Sequence, residues 1–172
     1  MESKNYDYYN DVIEMIMPYL AKENIKIVQI GAKDDINLNM CEHFNGTTNL
    51  KQTAYIIKNS LLHFGNDSFS AHVASGFNKK IVCLYSILYK ECCGPYWGNK
   101  DDHILLESHR NGLKPSFSNK ESPKTVNLIY PEEIAKSVLS LLGIKNKLNK
   151  IETFHIGKDY QSPTLTVIPN HV

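Results

Sequence analysis

Leu61-Leu62-His63-Phe64-Gly65-Asn66-Asp67-Ser68-Phe69-Ser70-Ala71-His72-Val73-Ala74-Ser75-Gly76, followed after three residues by Lys80-Ile81-Val82-Cys83-Leu84-Tyr85-Ser86, decides the fold. The apolar run Leu61 to Gly65 reads as a strand, and the polar turn Asn66-Asp67-Ser68 leads into a short helix, Ser68 to Gly76. Lys80 to Ser86 is apolar almost without a break, the pattern of a strand covered on both faces. Two strands joined through a helix over so short a distance are parallel neighbours, and such crossovers are right-handed.

The same rhythm extends in both directions. Tyr9, Val12, Ile13, Ile16 and Leu20 fall at helical spacing and predict a helix over Tyr9 to Leu20, with Pro18 as a kink or an end. Ile25 to Gly31 is a β-branched run closed by glycine and predicts a buried parallel strand, pointing with the preceding helix to an α/β unit. Ala32 to Gly46 is irregular, with a strand near Met40 to Phe44. Thr47 or Thr48 is placed to cap a helix whose apolar face is Leu50, Ala54 and Ile57, toward Leu61. Past Ser86, a long loop from Ile87 to Pro123 contains one strand, His103 to Leu106. Pro131 opens a helix with an acidic start at Glu132 and Glu133, an apolar face of Ile134, Val138, Leu141 and Leu142, and a stop at Gly143. The alternation predicts an α/β fold, a Rossmann-like, doubly wound parallel sheet, in one domain over residues 1–144. A lysine-rich linker, Lys145 to Lys150, precedes two strand-like pieces, Glu152 to Ile156 and Thr164 to Ile168. These lie outside the rhythm and predict a C-terminal β appendage over residues 145–172.

Composition narrows the functional classes. A chain of 172 residues, 42% hydrophobic and 22% charged, with a mean hydropathy of -0.34, is sized for one core. Its formal net charge is +1, and Arg110 is its only arginine, so neither a global field nor guanidinium forks favour nucleic acid as a partner. Met1 to Asn10 is polar and tyrosine-rich, unlike an export signal, and no apolar run reaches spanning length, which together predict a cytoplasmic chain. Cys41, Cys83, Cys92 and Cys93 are then expected to be reduced.

In an open parallel sheet, ligands sit at the carboxyl ends of strands, and a helix that starts there offers unpaired amides to an anion. Asn66, Asp67, Ser68, Phe69, Ser70 and His72 occupy such a turn and are the candidate substrate-binding residues. The competing reading is that Asp67 or Ser68 only caps the helix, with His72 on its flank. Gly31-Ala32-Lys33-Asp34-Asp35 also follows a strand, and Lys33 is a candidate phosphate contact, although the other glycines of a dinucleotide fingerprint are absent. Cys41, Glu42, His43, Cys92, Cys93, His103 and His109 include no Cys-x-x-Cys spacing, so no metal site is expected, and nothing calls for a cofactor. Tyr96 and Trp97 beside Gly94-Pro95 either stack on a base or sugar or anchor their loop on the core. His63, flanked by apolar residues, reads as a structural histidine.

Thr47-Thr48-Asn49-Leu50, Gly65-Asn66-Asp67-Ser68, His72-Val73-Ala74 and Gly94-Pro95 together resemble the C-terminal nucleotide-sugar domain of the glycosyltransferase family that contains the ADP-heptose:lipopolysaccharide heptosyltransferases. The resemblance covers roughly Tyr8 to Ile144. It implies one half of a GT-B architecture, an inverting transfer from a nucleotide-diphospho-sugar of the ADP-heptose type without a metal, and a glycan or lipid-linked glycan as acceptor in the complete enzyme. It also implies that Asp67, Ser68 and His72 lie against the diphosphate and donor sugar. Where the family has glycine after Asp-Ser, this chain has Phe69, whose side chain fills space that glycine leaves to a ligand.

The family's acceptor half and the first strand of its C-terminal half have no counterpart here, so the chain is expected not to complete transfer alone and to be a fragment or a homo-oligomer. That first strand belongs between Ile25 to Ile30 and Leu61 to Gly65. Direct pairing of these two strands is the expectation, with Thr164 to Ile168 or a second chain as alternatives. A different class of function is equally compatible with the fold: a non-catalytic α/β scaffold or partner-binding module.

Overall fold

The structure is a computed structural model and describes residues 2–148. Helix α1 spans Tyr9–Leu20 and buries Val12, Ile13, Ile16 and Leu20, the face its spacing foretells. Pro18 sits in its last turn, and the chain continues into a 3-10 turn, Ala21–Glu23, closed by Asn24 in the left-handed region. Strand β3 is Leu62–Asn66, α3 is Phe69–Gly76, β4 is Lys80–Tyr85 and β5 is His103–Glu107. These strands form a parallel sheet in the order β3-β4-β5, with Leu62 opposite Lys80 and Ile81 opposite His103. A short helix α4, Lys90–Cys93, lies in the loop after β4, and α5 is Pro131–Leu141 with its proline at the favoured first turn.

The central strand explains the layering. Val82 and Leu84 face a cluster built from α1 and α5, including Val12, Ile16, Ile134, Val138 and Leu139. Ile81, Cys83 and Tyr85 face the opposite way, toward Ile57, Ala71 and Ala74 of the two remaining long helices. Successive side chains of a strand point to opposite faces, so an apolar run such as Ile81 to Tyr85 has to be covered twice.

Several expectations are corrected. The strand expected over Ile25 to Gly31 is only Val28–Gln29 (β1), paired in parallel with Glu42–His43 (β2), and Val28 is 39% exposed. Its polar residues face water or neighbouring loops: Lys26 pairs with Glu42 at 2.8 Å, while the Gln29 amide donates to Ile36 O and accepts from Leu38 N. Helix α2 spans Leu50–Asn59 and is capped by Asn49, not by Thr47 or Thr48. Asn49 accepts from the Gln52 amide while the Gln52 side chain accepts from the Asn49 amide, a reciprocal box that satisfies two end donors. The Thr48 hydroxyl instead bonds that of Thr53, and Thr53 with Ile57 makes the buried face, leaving Leu50 and Leu61 exposed.

The expected direct pairing of β1 with β3 does not occur: β1 pairs with β2, and β3 with β4, in two separate sheets. Ile25 and Ile27 nonetheless pack on the same cluster as Leu62 and Phe64, beneath α1. A helix about 10 Å across covers roughly two strand spacings, so α1 seats on both sheets without drawing their edges to ladder distance. Glu152 to Ile156 and Thr164 to Ile168 lie outside the described residues.

The two sources of stability are separable by mutation. Ile16→Ala opens a cavity in the α1 layer and should lower unfolding free energy by about 2–5 kcal/mol. Asn49→Ala removes only an exposed cap and should lower it by about 1 kcal/mol. Urea unfolding curves check the order of the two.

Candidate functional site

At the carboxyl end of β3 the ladder runs one residue past the strand, with the Asp67 amide donating to Leu84 O at 3.1 Å. The chain then turns, and Ser68 takes an extended conformation as the N-cap residue of α3. Its side chain makes no capping bond; the Ser68 hydroxyl bonds the Ser70 hydroxyl at 2.8 Å. Ser68 is thus the N-cap of α3 by its backbone alone. The amides of Phe69 and Ser70 make no hydrogen bond among the described residues, so the positive end of α3 is available.

Asp67 is buried, and its carboxylate is paired with the Lys4 ammonium, which also donates to Asp67 O at 3.2 Å. Lys4 comes from a 3-10 turn, Glu2–Lys4, that lies before α1. The turn is held down from two sides. Ser3 is buried, with its hydroxyl donating to Ser118 O at 2.6 Å and its amide to Asn119 O. On the other side the Tyr9 hydroxyl donates to Asn66 Oδ1 at 2.7 Å, and the Asn66 amide reaches Asn5 Oδ1 at 3.4 Å. Burial pushes the Tyr9 phenol far up, so it stays a proton donor. Asp7 next to this segment is held below its ordinary range by hydrogen bonds from Lys124 and Asn127.

The structure therefore brings Asn66, Asp67, Ser68 and Ser70 together. Phe69 begins α3 and is 52% exposed, and His72 is half-buried one turn further on, without a hydrogen bond among the described residues. Lys33 stands apart, exposed in the loop after β1, with no hydrogen bond or ion pair to the Asp67 turn. That loop is closed on itself by the Ala32 amide, which donates to the Asp35 carboxylate at 2.7 Å. A Cβ at Gly31 would press on the same carboxylate, so a larger residue there would have to displace the Asp35 side chain. The sequence reading gives Lys4 and Asn5 no role in the site and takes Tyr9 only as part of the α1 face. The signal was available: α1 returns antiparallel to β3, so the residues before it must sit at the carboxyl end of the sheet.

Beneath the turn, His63 on β3 faces the Ser70 hydroxyl at 3.3 Å, and desolvation lowers its pKa to about 4. Burial likewise pushes the Cys83 thiol up to about 12, so it stays protonated. The lone arginine serves the scaffold. Arg110 is buried, pairs with Glu107 at 2.7 Å, donates to Ser86 O at 3.2 Å and lies over the Tyr89 ring. Burial raises the Glu107 carboxyl, but the Lys90 amide and Arg110 outweigh it and hold the group below its ordinary range. Tyr96 and Trp97 are both exposed, stacked edge to face at 5.4 Å, and do not anchor their loop on the core. Backbone bonds do so instead, from Ser75 to Trp97 O and from Lys100 to Pro95 O and Tyr96 O.

Among the described residues no three His, Cys, Asp or Glu side chains gather as a metal site would require, and no helix is long and apolar enough to cross a membrane. Two shallow clefts, one including Asp11, Glu14 and Pro131 and the other Met17, Ile25 and Cys41, lie away from the Asp67 turn.

No protein-family profile and no curated protein matches the sequence. Solved structures do match. A glycosyl transferase family 9 protein from Veillonella parvula aligns with a TM-score of 0.61 and 21% identity over 83% of this chain. The E. coli ADP-heptose LPS heptosyltransferase II aligns with a TM-score of 0.59 and 19% identity over 82%. The chain shares their Rossmann-like fold. It spans 43% of the length of each.

The depressed pKa of His63 has a consequence for stability. The imidazole stays neutral in the fold down to about 4, whereas its ordinary value is 6.5, so the unfolded chain binds more protons between these values. The His63 contribution is therefore fully present above about pH 6.5 and is lost as pH falls toward about 4. Urea midpoints between pH 7 and pH 5 should fall in the native sequence, and His63→Gln should remove that part of the slope.

Proposed function

We propose that this chain is the nucleotide-diphospho-sugar-binding domain of a heptosyltransferase-like glycosyltransferase, unable to complete transfer alone. The observation that carries the reading is the Asp67 turn: free amides at the start of α3, a lysine at its side, and a location at the carboxyl end of a parallel sheet. The likeness to glycosyltransferase chains supports the reading through the fold they share. A span of less than half of each supports incompleteness, since the acceptor, a glycan or lipid-linked glycan, would need the remainder.

In this proposal the donor's diphosphate lies against the Phe69 and Ser70 amides, with the Ser68 and Ser70 hydroxyls as further donors and His72 beside the sugar. Lys4 turns part of its charge from Asp67 to a phosphate oxygen. Negative charge growing on the leaving diphosphate during transfer is then met by the dipole end of α3 and by an ammonium already in place, which requires little reorganisation. Lys33 approaches the same anion only if its exposed side chain swings toward the turn. The rival scaffold reading draws on Phe69, which occupies the space beside the first amides, and on Asp67, which is already satisfied by Lys4.

Titration with nucleoside diphosphates separates the two. A ligand that binds only the folded chain raises its stability by about 2.7 kcal/mol at a hundred times its Kd. A rise in Tm with ADP or another nucleoside diphosphate, lost in Lys4→Met and kept in Lys4→Arg, is the expected result. Phe69→Gly should tighten binding by opening the approach to the amides, and a chain whose Tm ignores every diphosphate would be a scaffold.

A further inference from the structure

Tyr96 and Trp97 have no role at the Asp67 turn, yet their loop is built to hold them in water. Pro95 before them is buried, whereas Tyr96 is 77% and Trp97 61% exposed. Three successive carbonyls are tied to side chains of the fold. Pro95 O and Tyr96 O accept from the Lys100 ammonium at 2.6 and 2.7 Å, and Trp97 O accepts from the Ser75 hydroxyl at 2.5 Å. Glycines on either side let the backbone press close. Gly98, at φ +88°, lies so near β5 that a Cβ there would meet His103 Nε2 at 3.0 Å, and a Cβ at Gly94 would meet Lys90 O at 2.6 Å. The two rings stand at 85° with centroids 5.4 Å apart, a right-angled corner of two apolar faces. Large rings displayed on a backbone already fixed lose little freedom when a ligand arrives, which is the property of a binding surface.

The surroundings of the corner select its ligand. Ser75 lies in the last turn of α3, so the pair sits at the far end of that helix from the Asp67 turn, about 12 Å along its axis. Beside it Lys100–Asp102 forms a 3-10 turn. The Lys100 ammonium is committed to two carbonyls, while Asp101 is exposed and Asp102 half-buried, so the charge offered to a ligand is negative. A nucleotide or an anionic lipid would bring phosphate to that charge and be repelled. A neutral sugar is suited to both parts of the surface. The face of a pyranose ring that carries only C–H bonds is apolar and lies flat on an aromatic ring, and the hydroxyls at its rim donate to a carboxylate.

We infer that Tyr96 and Trp97 form a glycan-binding platform, with a neutral hexopyranose unit stacked in the corner between the rings and Asp101 accepting from its hydroxyls. The platform is separate from the Asp67 turn and works whether or not a diphosphate binds there. Its sequence mark is the run Gly94-Pro95-Tyr96-Trp97-Gly98, in which the glycines and the buried proline fix the backbone and leave the aromatic residues to the ligand.

Trp97 is the only tryptophan in the chain, so its fluorescence reports on the platform alone. Titration of the whole chain with cellotriose, maltotriose and mannotriose should give a saturable change with at least one of them, at a Kd in the millimolar range. Saturation-transfer NMR observed on the sugar then carries the variants. Trp97→Ala should weaken binding by about tenfold and Tyr96→Ala by about threefold, while Tyr55→Ala, which removes an equally exposed ring on α2, should leave it unchanged. Should Trp97→Ala unfold, Tyr96→Ala decides. Saturating ADP should not alter the sugar Kd, so the platform and the diphosphate reading stand or fall separately. No saturable response to any of the three sugars overturns the inference, as does an equal loss in Tyr55→Ala. Two further results would assign the rings to another partner and also overturn it, if they appear without sugar binding. One is self-association in sedimentation that Trp97→Ala abolishes, and the other is Trp97-dependent flotation with phosphatidylglycerol vesicles.

Discussion

A parallel strand with apolar residues on both faces cannot be left half-covered, and β4 imposes this condition on everything around it. Ile81, Cys83 and Tyr85 demand one roof and Val82 with Leu84 another. Helices α1 and α5 supply the second, α2 and α3 the first. Once the helices lie on the sheet, each crossover returns its chain to the same end, so the turns before α3 and after β4 and β5 gather at one edge. The location of the Asp67 turn is thus a product of core packing, and its chemistry is added afterwards by the residues the turn happens to hold.

The scaffold around that edge is braced by groups that look functional in isolation. Arg110 resembles a phosphate fork until its partners are counted: Glu107, Ser86 O, Leu113 O and the Tyr89 ring leave it no free face of importance. Ser108, also buried, donates to Thr125 O at 2.6 Å and accepts from the Arg110 amide. These bonds fix the loop that follows β5 against the loop that follows β4. Lys4, in contrast, holds one carboxylate and one carbonyl, and its ammonium keeps donor capacity for an incoming anion.

What could be read from the sequence followed burial. Tyr9 to Leu20 emerged with its ends in place because a helix with one buried stripe announces its period, and the strand expected over Lys80 to Ser86 was found one residue shorter, as Lys80–Tyr85, because its doubly covered run Ile81 to Tyr85 is apolar throughout. The cap of α2 was placed one or two residues early, since Thr47, Thr48 and Asn49 are all good caps and only the reciprocal bond with Gln52 chooses among them. β1 was overestimated because Ile25 and Ile27 are apolar for the sake of the α1 cluster rather than for pairing. Of the site, the turn was legible and Lys4 was not. A charged residue in a polar leader carries no local mark of the carboxylate it will meet 63 positions away.

That sequence distance has its own consequence. The short segment around Ser3 and Lys4 reaches the rest of the fold through the Ser3 bonds to Ser118 O and Asn119 O and the Lys4 bonds to Asp67, and opening those bonds alone costs less than unfolding the core. Whenever it is detached, the turn keeps its amides but loses its cation. Any anion that needs both then meets a protein of which only a fraction is competent, and its apparent affinity is weakened by that fraction. If the turn takes the diphosphate proposed above, docking of this segment and occupation of the turn are linked equilibria, and a change at Ser118 or Asn119, whose carbonyls hold Ser3, alters how often the cation is in place.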